Sequence, residues 1–159
     1  MFTPEQIKSL LQTADDTLRP FLAIGAFAGL RMAELQRLDW SEVDLERGFI
    51  TVAASKAKTR QRRLVPISDN LKTWLTPCKR AIGPVCVHQR PQLAAADLCD
   101  GFKWQKNGLR HSYISYRLAV VHDTARVALE AGNSPEVIFG HYRELVTPEA
   151  GNAWFEVAP

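Results

Sequence analysis

The stretch 49-FITVAASKAKTRQRRLVPI-67 decides the fold class, because here the sequence changes from helical spacing to alternation. Residues 49–52 and 63–67 are short, rich in β-branched side chains and alternating in polarity, a pattern typical of strands. We expect them to form an antiparallel hairpin, and Pro66 places the second strand at a sheet edge or at its own end. The remaining sequence has helical spacing, so the predicted class is α+β, mainly α, with a small antiparallel β-hairpin or sheet.

The connection between these two strands is the most basic part of the chain. Five cations fall in eight residues, at Lys56, Lys58, Arg60, Arg62 and Arg63, although 20 Lys and Arg against 17 Asp and Glu give a net charge of only +3. Two interpretations are open: a strip that faces nucleic-acid phosphates, or a solvated hairpin tip. From charge alone, the two interpretations have about equal weight.

Caps and breakers mark a series of helices on either side of the hairpin. Thr3-Pro4-Glu5 predicts a helix that ends near Ala14. The apolar segment 18–28 predicts a central buried helix that Gly29 ends. Further helices are predicted at 32–38, after the Ser68-Asp69 cap, at 92–98, from Gly108 to Val121, from Asp123 to Ala131 and from Ser134 to about Tyr142, followed by a weakly helical tail.

Length and composition predict a single soluble domain over residues 1–159. A chain of this length buries an adequate core without cross-links. Its three cysteines are odd in number and irregular in spacing, which favours isolated thiols in a cytoplasmic protein over disulfides or a zinc site. No run approaches the roughly 20 apolar residues of a membrane span. We therefore expect no membrane partner, no metal and no small-molecule cofactor.

Four short motifs carry chemically distinctive side chains. Gly29-Leu30-Arg31-Met32-Ala33-Glu34 sets an arginine at a junction between helices, where its planar guanidinium can give two hydrogen bonds to phosphate oxygens. Glu34, one helical turn further on, is expected to orient Arg31, and the simpler alternative is an exposed Arg31–Glu34 ion pair. The other motifs are 58-KTRQRRLVP-66, Asn107-Gly108-Leu109-Arg110-His111-Ser112, and Gly132-Asn133-Ser134 with Tyr142 nine residues after Asn133.

In their order and local sequence these motifs resemble the catalytic boxes of the tyrosine recombinases, or phage-type integrases, over residues 3 to 144. The resemblance implies that Arg31 and Arg110 bind the scissile phosphate and that Tyr142 is the nucleophile. It also implies that Lys58, or alternatively Lys56, is the general acid that protonates the leaving 5′ oxygen. Nearby arginines would lower the pKa of such a lysine toward the working pH.

The sequence departs from the family pattern at two of the implied catalytic positions. Asn107 stands where the family commonly has histidine, and Asn133 stands where it has histidine or tryptophan. Asparagine can donate a hydrogen bond to a phosphoryl oxygen but cannot transfer a proton. The spacing excludes His141 from this second position, because the residue nine places after it is Ala150. His111 is interpreted as a packing or orienting residue.

The activity implied by the resemblance is metal-free transesterification. Tyrosine attacks a DNA phosphodiester to give a 3′-phosphotyrosine and a free 5′-hydroxyl, mainly through charge stabilisation. The implied partners are double-stranded DNA and further copies of the chain on DNA, since the residues after Tyr142 resemble a tail that docks on a neighbouring protomer. The family's N-terminal DNA-clamping domain is expected to be absent. Two alternatives are a weak or inactive DNA-binding remnant and a nicking-closing enzyme of the type IB topoisomerase kind.

Overall fold

The computed structural model describes residues 1–53, 62–142 and 146–159, and it confirms the mainly helical α+β class. Caps predicted from sequence begin several helices: the Thr3 side chain and Gln6 form a reciprocal capping box, and the Asp123 side chain accepts from the Arg126 backbone N–H. The helices are α1 Pro4–Thr13, α2 Arg19–Phe27, α3 Met32–Leu35, α4 Asp69–Leu75, α5 Pro91–Asp97, α6 Gly108–Val121, α7 Thr124–Ala131, α8 Pro135–Tyr142 and α9 Pro148–Phe155.

The predicted hairpin is confirmed as part of a three-stranded antiparallel sheet. Its strands are β1 Val43–Asp44, β2 Phe49–Val52 and β3 Arg63–Pro66, in the order β1-β2-β3. The strand that contains Pro66 lies at the sheet edge, as its missing N–H predicts. β1 was not predicted, because two residues are too few to show alternation. Residues 54–61, which include Lys56, Lys58 and Arg60, lie outside the described residues.

Helix α2 is the centre of the core, as its uniformly apolar sequence predicts. Every residue from Pro20 to Phe27 is buried, and α1 packs its apolar stripe into the same core. The longest described helix is α6 with 14 residues. No helix among the described residues has the length and apolar content needed to cross a membrane.

Helix α3 is shorter than predicted, ending at Leu35 instead of Leu38. The cause is a long-range pairing that the local sequence does not reveal. Trp40 N–H donates to the Gly83 carbonyl at 2.8 Å, and Val85 N–H donates to the Leu38 carbonyl at 2.9 Å. These bonds satisfy the backbone of residues 38–40 in an extended conformation, so the helix does not continue.

The C-terminal helix α9 packs on its own chain. Trp154 is fully buried, stacks on Tyr116 with ring centroids 4.5 Å apart, and donates its indole N–H to the Ala26 carbonyl at 3.0 Å. Just beyond α9, the Val157 carbonyl accepts from Trp74 Nε1 at 2.9 Å. The tail was expected to be weakly helical and to resemble one that docks on a neighbouring protomer. In this structure a capped helix fills part of the chain's own core.

Candidate active site

Arg31 is positioned by the turn between α2 and α3. Gly29 has φ +64°, and a Cβ there would lie 2.1 Å from the Tyr113 ring, so both the turn and the close packing require glycine. The chain then enters α3, whose first turn is closed by the Glu34 carboxylate, which accepts the Arg31 backbone N–H at 2.8 Å. This places the Arg31 guanidinium at a helix junction, as predicted.

Glu34 binds Arg63 more closely than it binds the Arg31 side chain. Arg63 Nη1 and Nη2 donate to the two carboxylate oxygens at 2.9 and 2.8 Å, whereas Arg31 Nη1 lies 3.4 Å away. Burial of the Glu34 carboxylate raises its pKa, but the hydrogen bonds from Arg63 and the Arg31 backbone outweigh burial and hold the pKa at about 2. From sequence, an exposed Arg31–Glu34 ion pair was the simpler alternative. In the structure Glu34 is buried instead, and it joins Arg31 and Arg63 in a cluster of three residues.

Arg63, the last of the five cations in the basic part of the chain, is therefore not exposed to solvent as a free charge. Its side chain is only 14% exposed, and its Nε also donates to the Glu130 carbonyl at 3.0 Å. In the structure Arg63 joins β3 to α3 and α7, and its expected contact with DNA stays a prediction. Arg62, its neighbour, is exposed.

Arg110 lies in the first turn of α6 and is anchored by backbone carbonyls. Its guanidinium donates to Gly29 O, to Ala131 O at 2.7 Å and to Asn133 Oδ1 at 3.1 Å. Burial and the adjacent positive charge of Arg31 lower its pKa to about 10, so the side chain is still charged at neutral pH. Arg110 is thus held by the turn after α2 and by the end of α7.

Asn133 connects the two arginines. Its side-chain oxygen accepts from Arg31 Nη2 at 2.9 Å and from Arg110 Nη2 at 3.1 Å, and the neighbouring Gly132 carbonyl accepts a second bond from Arg31. Gly132 ends α7 with φ +66°, which turns these carbonyls toward the guanidinium groups. The structure therefore brings Arg31, Arg110 and Asn133 together, although they are distant in sequence.

Tyr142, the last residue of α8, meets His111 of α6. The Tyr142 hydroxyl lies 3.0 Å from His111 Nδ1, and the two rings are 5.4 Å apart between centroids. Burial raises the pKa of the Tyr142 hydroxyl, and the positive charge of Arg110 opposes that effect. Burial and nearby positive charge lower the pKa of His111, so its imidazole is neutral at pH 7.

Four of these side chains share one pocket of about 390 Å³. Arg31, Arg110, His111 and Tyr142 line it together with Asn107, which precedes α6 in a left-handed conformation with φ +57°. Lys58 and its alternative Lys56 fall on residues 54–61, outside the described part, so their place relative to this pocket stays a prediction.

A second buried cluster supports the site and was not predicted from sequence. Glu130 accepts from the Tyr113 hydroxyl at 2.8 Å, from Arg117 at 2.9 Å and from Arg126 at 3.2 Å. Glu130 thereby fixes α7 against α6, and its backbone carbonyl accepts a hydrogen bond from Arg63 Nε. The i,i+4 spacing of Arg126 and Glu130 was a visible signal, but it does not distinguish a buried cluster from an exposed pair.

The solved structures that resemble this chain have the fold of tyrosine recombinase catalytic domains. The XerA recombinase matches with a TM-score of 0.73 and 20% identity over 94% of this chain and 60% of its own. The integrase of mycobacterium phage Brujita matches with a TM-score of 0.63 and 18% identity, covering 99% of this chain and 57% of its own. At these identities the likeness concerns the fold alone.

The sequence comparisons define the family. The chain belongs to the phage integrase family, whose model matches residues 1–82. Among curated proteins, the integrase of Shigella phage Sf6 and the prophage integrase IntS of Escherichia coli (strain K12) are each 37% identical over 59 residues. Those residues are 37% of this chain and 15% of either relative, so the chain matches only a small part of the curated relatives' length.

Proposed function

We propose that this chain is the catalytic domain of a site-specific DNA recombinase, which cleaves and rejoins double-stranded DNA through a 3′-phosphotyrosine at Tyr142. One observation carries the proposal: Arg31 and Arg110 donate to the same acceptor, Asn133 Oδ1, and both line the pocket that Tyr142 lines. Two fixed guanidinium groups beside a hydroxyl suit an anionic phosphodiester that develops further charge during attack.

In the proposed reaction the Tyr142 oxygen bonds to phosphorus and the bond from phosphorus to the 5′ oxygen breaks. The leaving oxygen takes a proton from a general acid, a role that the sequence resemblance gives to Lys58. A 5′-hydroxyl of another strand then displaces the tyrosine by the reverse steps. Each step exchanges one phosphoester for another, so the reaction needs neither ATP nor a metal. Arg31 and Arg110 supply the charge stabilisation, and removal of one such donor typically costs about 10²–10³-fold in rate.

DNA is the proposed partner, and self-association on DNA is part of the proposal. A solved structure of the XerH recombinase, which this chain resembles with a TM-score of 0.64 and 17% identity over 94% of the chain and 51% of that protein, is of a pre-cleavage complex with its difH substrate. We further propose that residues 1–159 act as one catalytic domain.

A nicked suicide substrate tests the proposal. Cleavage releases a short DNA fragment that carries the free 5′-hydroxyl, and its loss traps the covalent intermediate because no hydroxyl remains to rejoin the strand. Wild-type chain is expected to form a protein–DNA adduct that maps to Tyr142, and Tyr142→Phe is expected to form none. Tyr116→Phe is the matched control, since it removes a hydroxyl that donates to the Phe2 carbonyl away from the pocket. Absence of a wild-type adduct where DNA binding is measurable would favour the inactive remnant. Plasmid relaxation without recombinant product would favour the topoisomerase alternative.

A further inference from the structure

His111 is the one residue among the described lining of the pocket whose side chain can take up a proton near neutral pH. Asn107 lacks a basic group, and arginine side chains stay protonated throughout. The imidazole Nδ1 lies at hydrogen-bonding distance, 3.0 Å, from the hydroxyl oxygen that the proposed reaction uses as nucleophile. A neutral tyrosine that attacks phosphorus must lose its hydroxyl proton, and an acceptor at this distance can take it.

The surroundings of this pair favour a neutral imidazole and a protonated hydroxyl. The groups that face His111 are the Met1 amino group, Arg110 of α6, and His141 and Tyr142 of α8. Burial first, and then the positive charges of the first three, lower the pKa of His111 and leave it neutral at pH 7. Burial raises the pKa of Tyr142, so the hydroxyl keeps its proton. With both groups neutral, the hydroxyl donates to Nδ1 in the tautomer that has the imidazole proton on Nε2, and this is the tautomer that a base at Nδ1 requires.

We propose that His111 is a catalytic base, whose Nδ1 takes the hydroxyl proton of Tyr142 as the tyrosine oxygen bonds to phosphorus. The imidazolium formed has the Nε2 proton and the new Nδ1 proton, and His111 is exposed, so it can release one to solvent. In rejoining, a proton taken up again from solvent restores the imidazolium, the phenolate that leaves phosphorus regains a proton from Nδ1, and the imidazole returns to its neutral form. This inference rests on the proposed function, because it needs Tyr142 to be the nucleophile.

The pH dependence of adduct formation distinguishes a base from a packing residue. The single-turnover rate of wild-type chain on the suicide substrate should fall about tenfold per pH unit below the His111 pKa, because protonated Nδ1 accepts no proton. His111→Gln keeps an acceptor of similar reach but no basic nitrogen. It should lower the rate at pH 7 by about 10²–10⁴-fold, and it should abolish the acid limb, that is, the fall in rate at low pH. Added imidazole should restore part of the rate to His111→Ala.

His141→Gln is the matched control, since it removes a neighbouring exposed histidine next to Tyr142. It should keep the acid limb, moved slightly to higher pH by the loss of a nearby positive charge. A wild-type adduct that forms normally while His111→Gln keeps both the rate and the acid limb overturns this inference alone. A wild-type chain that forms no adduct overturns the proposed function, and the catalytic role of His111 with it.

A measurement without DNA tests the contact itself. In ¹⁵N NMR spectra, His111 of the free chain should show the tautomer with its proton on Nε2 and Nδ1 as acceptor. Tyr142→Phe should raise the His111 pKa, because the hydroxyl donor that favours the neutral imidazole is lost. A proton on Nδ1 in the free chain, or an unchanged pKa in Tyr142→Phe, overturns the inference whatever the suicide substrate shows.

Discussion

Glutamine at position 34 should strongly destabilise the protein. The Glu34 carboxylate accepts both Arg63 nitrogens and the Arg31 backbone N–H, and the side chains of Glu34 and Arg63 are only 6% and 14% exposed. Glu34→Gln keeps the shape but removes the charge and points an NH₂ group at these donors. The Arg63 guanidinium is then buried without its counter-ion, a situation that typically costs about 3–5 kcal/mol.

The pKa of Glu34 gives an independent magnitude. Its folded value of about 2 lies below the ordinary 4.5, and at 1.36 kcal/mol per pKa unit the difference corresponds to about 3 kcal/mol of stability at neutral pH. Because the folded pKa is depressed, this contribution is complete above pH 4.5 and is lost as the pH falls toward 2. By pH 3 less than about half of it should remain.

Urea unfolding at pH 7 and at pH 3 measures both quantities. We expect Glu34→Gln to unfold about 3 kcal/mol more easily than wild type at pH 7, with a smaller difference at pH 3. Glu46→Gln, at an exposed position, is the control and should change stability by less than about 0.5 kcal/mol. A Glu34→Gln difference below about 1 kcal/mol at pH 7, or one that does not shrink in acid, would refute the reasoning.

Four further substitutions test the fold and the site. Gly48→Ala, at φ +78° with open space around its Cβ, should cost about 1–2 kcal/mol in urea unfolding. Gly29→Ala, with similar φ but a Cβ 2.1 Å from the Tyr113 ring, should cost about 1–3 kcal/mol more, and equal costs would contradict the packing. Trp154→Ala should cost about 3–5 kcal/mol, and a loss below about 1 kcal/mol would show that α9 is not docked on its own chain. Asn133→Ala should slow adduct formation on the suicide substrate about 10²-fold by releasing the two arginines, and an unchanged rate would exclude this positioning role.

Most of the secondary structure could be predicted because its causes are local. Thr3, Asp123 and Gly132 begin or end helices through hydrogen bonds and dihedral angles within a few residues of themselves. The hairpin follows from alternation in two short runs. The exceptions have distant causes: α3 ends early because residues 38–40 pair with residues 83–85, more than forty positions away.

The candidate site was predictable as a set of residue types and not as a set of contacts. The order of the motifs selects Arg31, Arg110, Asn133 and Tyr142, and the structure brings the two arginines onto a shared acceptor, the side-chain oxygen of Asn133. Sequence spacing could not separate Arg63 from the other cations of its window, since all carry the same charge. Only its burial against Glu34 does so.

The sequence by itself therefore determined the fold class, the helix and strand order and the family resemblance, since these depend on local periodicity, caps and short motifs. The tertiary structure decided which side chains meet: Arg63 with Glu34, Asn133 with two arginines, and His111 with Tyr142. Each of these contacts joins residues between 23 and 102 positions apart. Such contacts form because a buried charged or polar group needs a hydrogen-bond partner within the fold, and burial is a property of the packed chain.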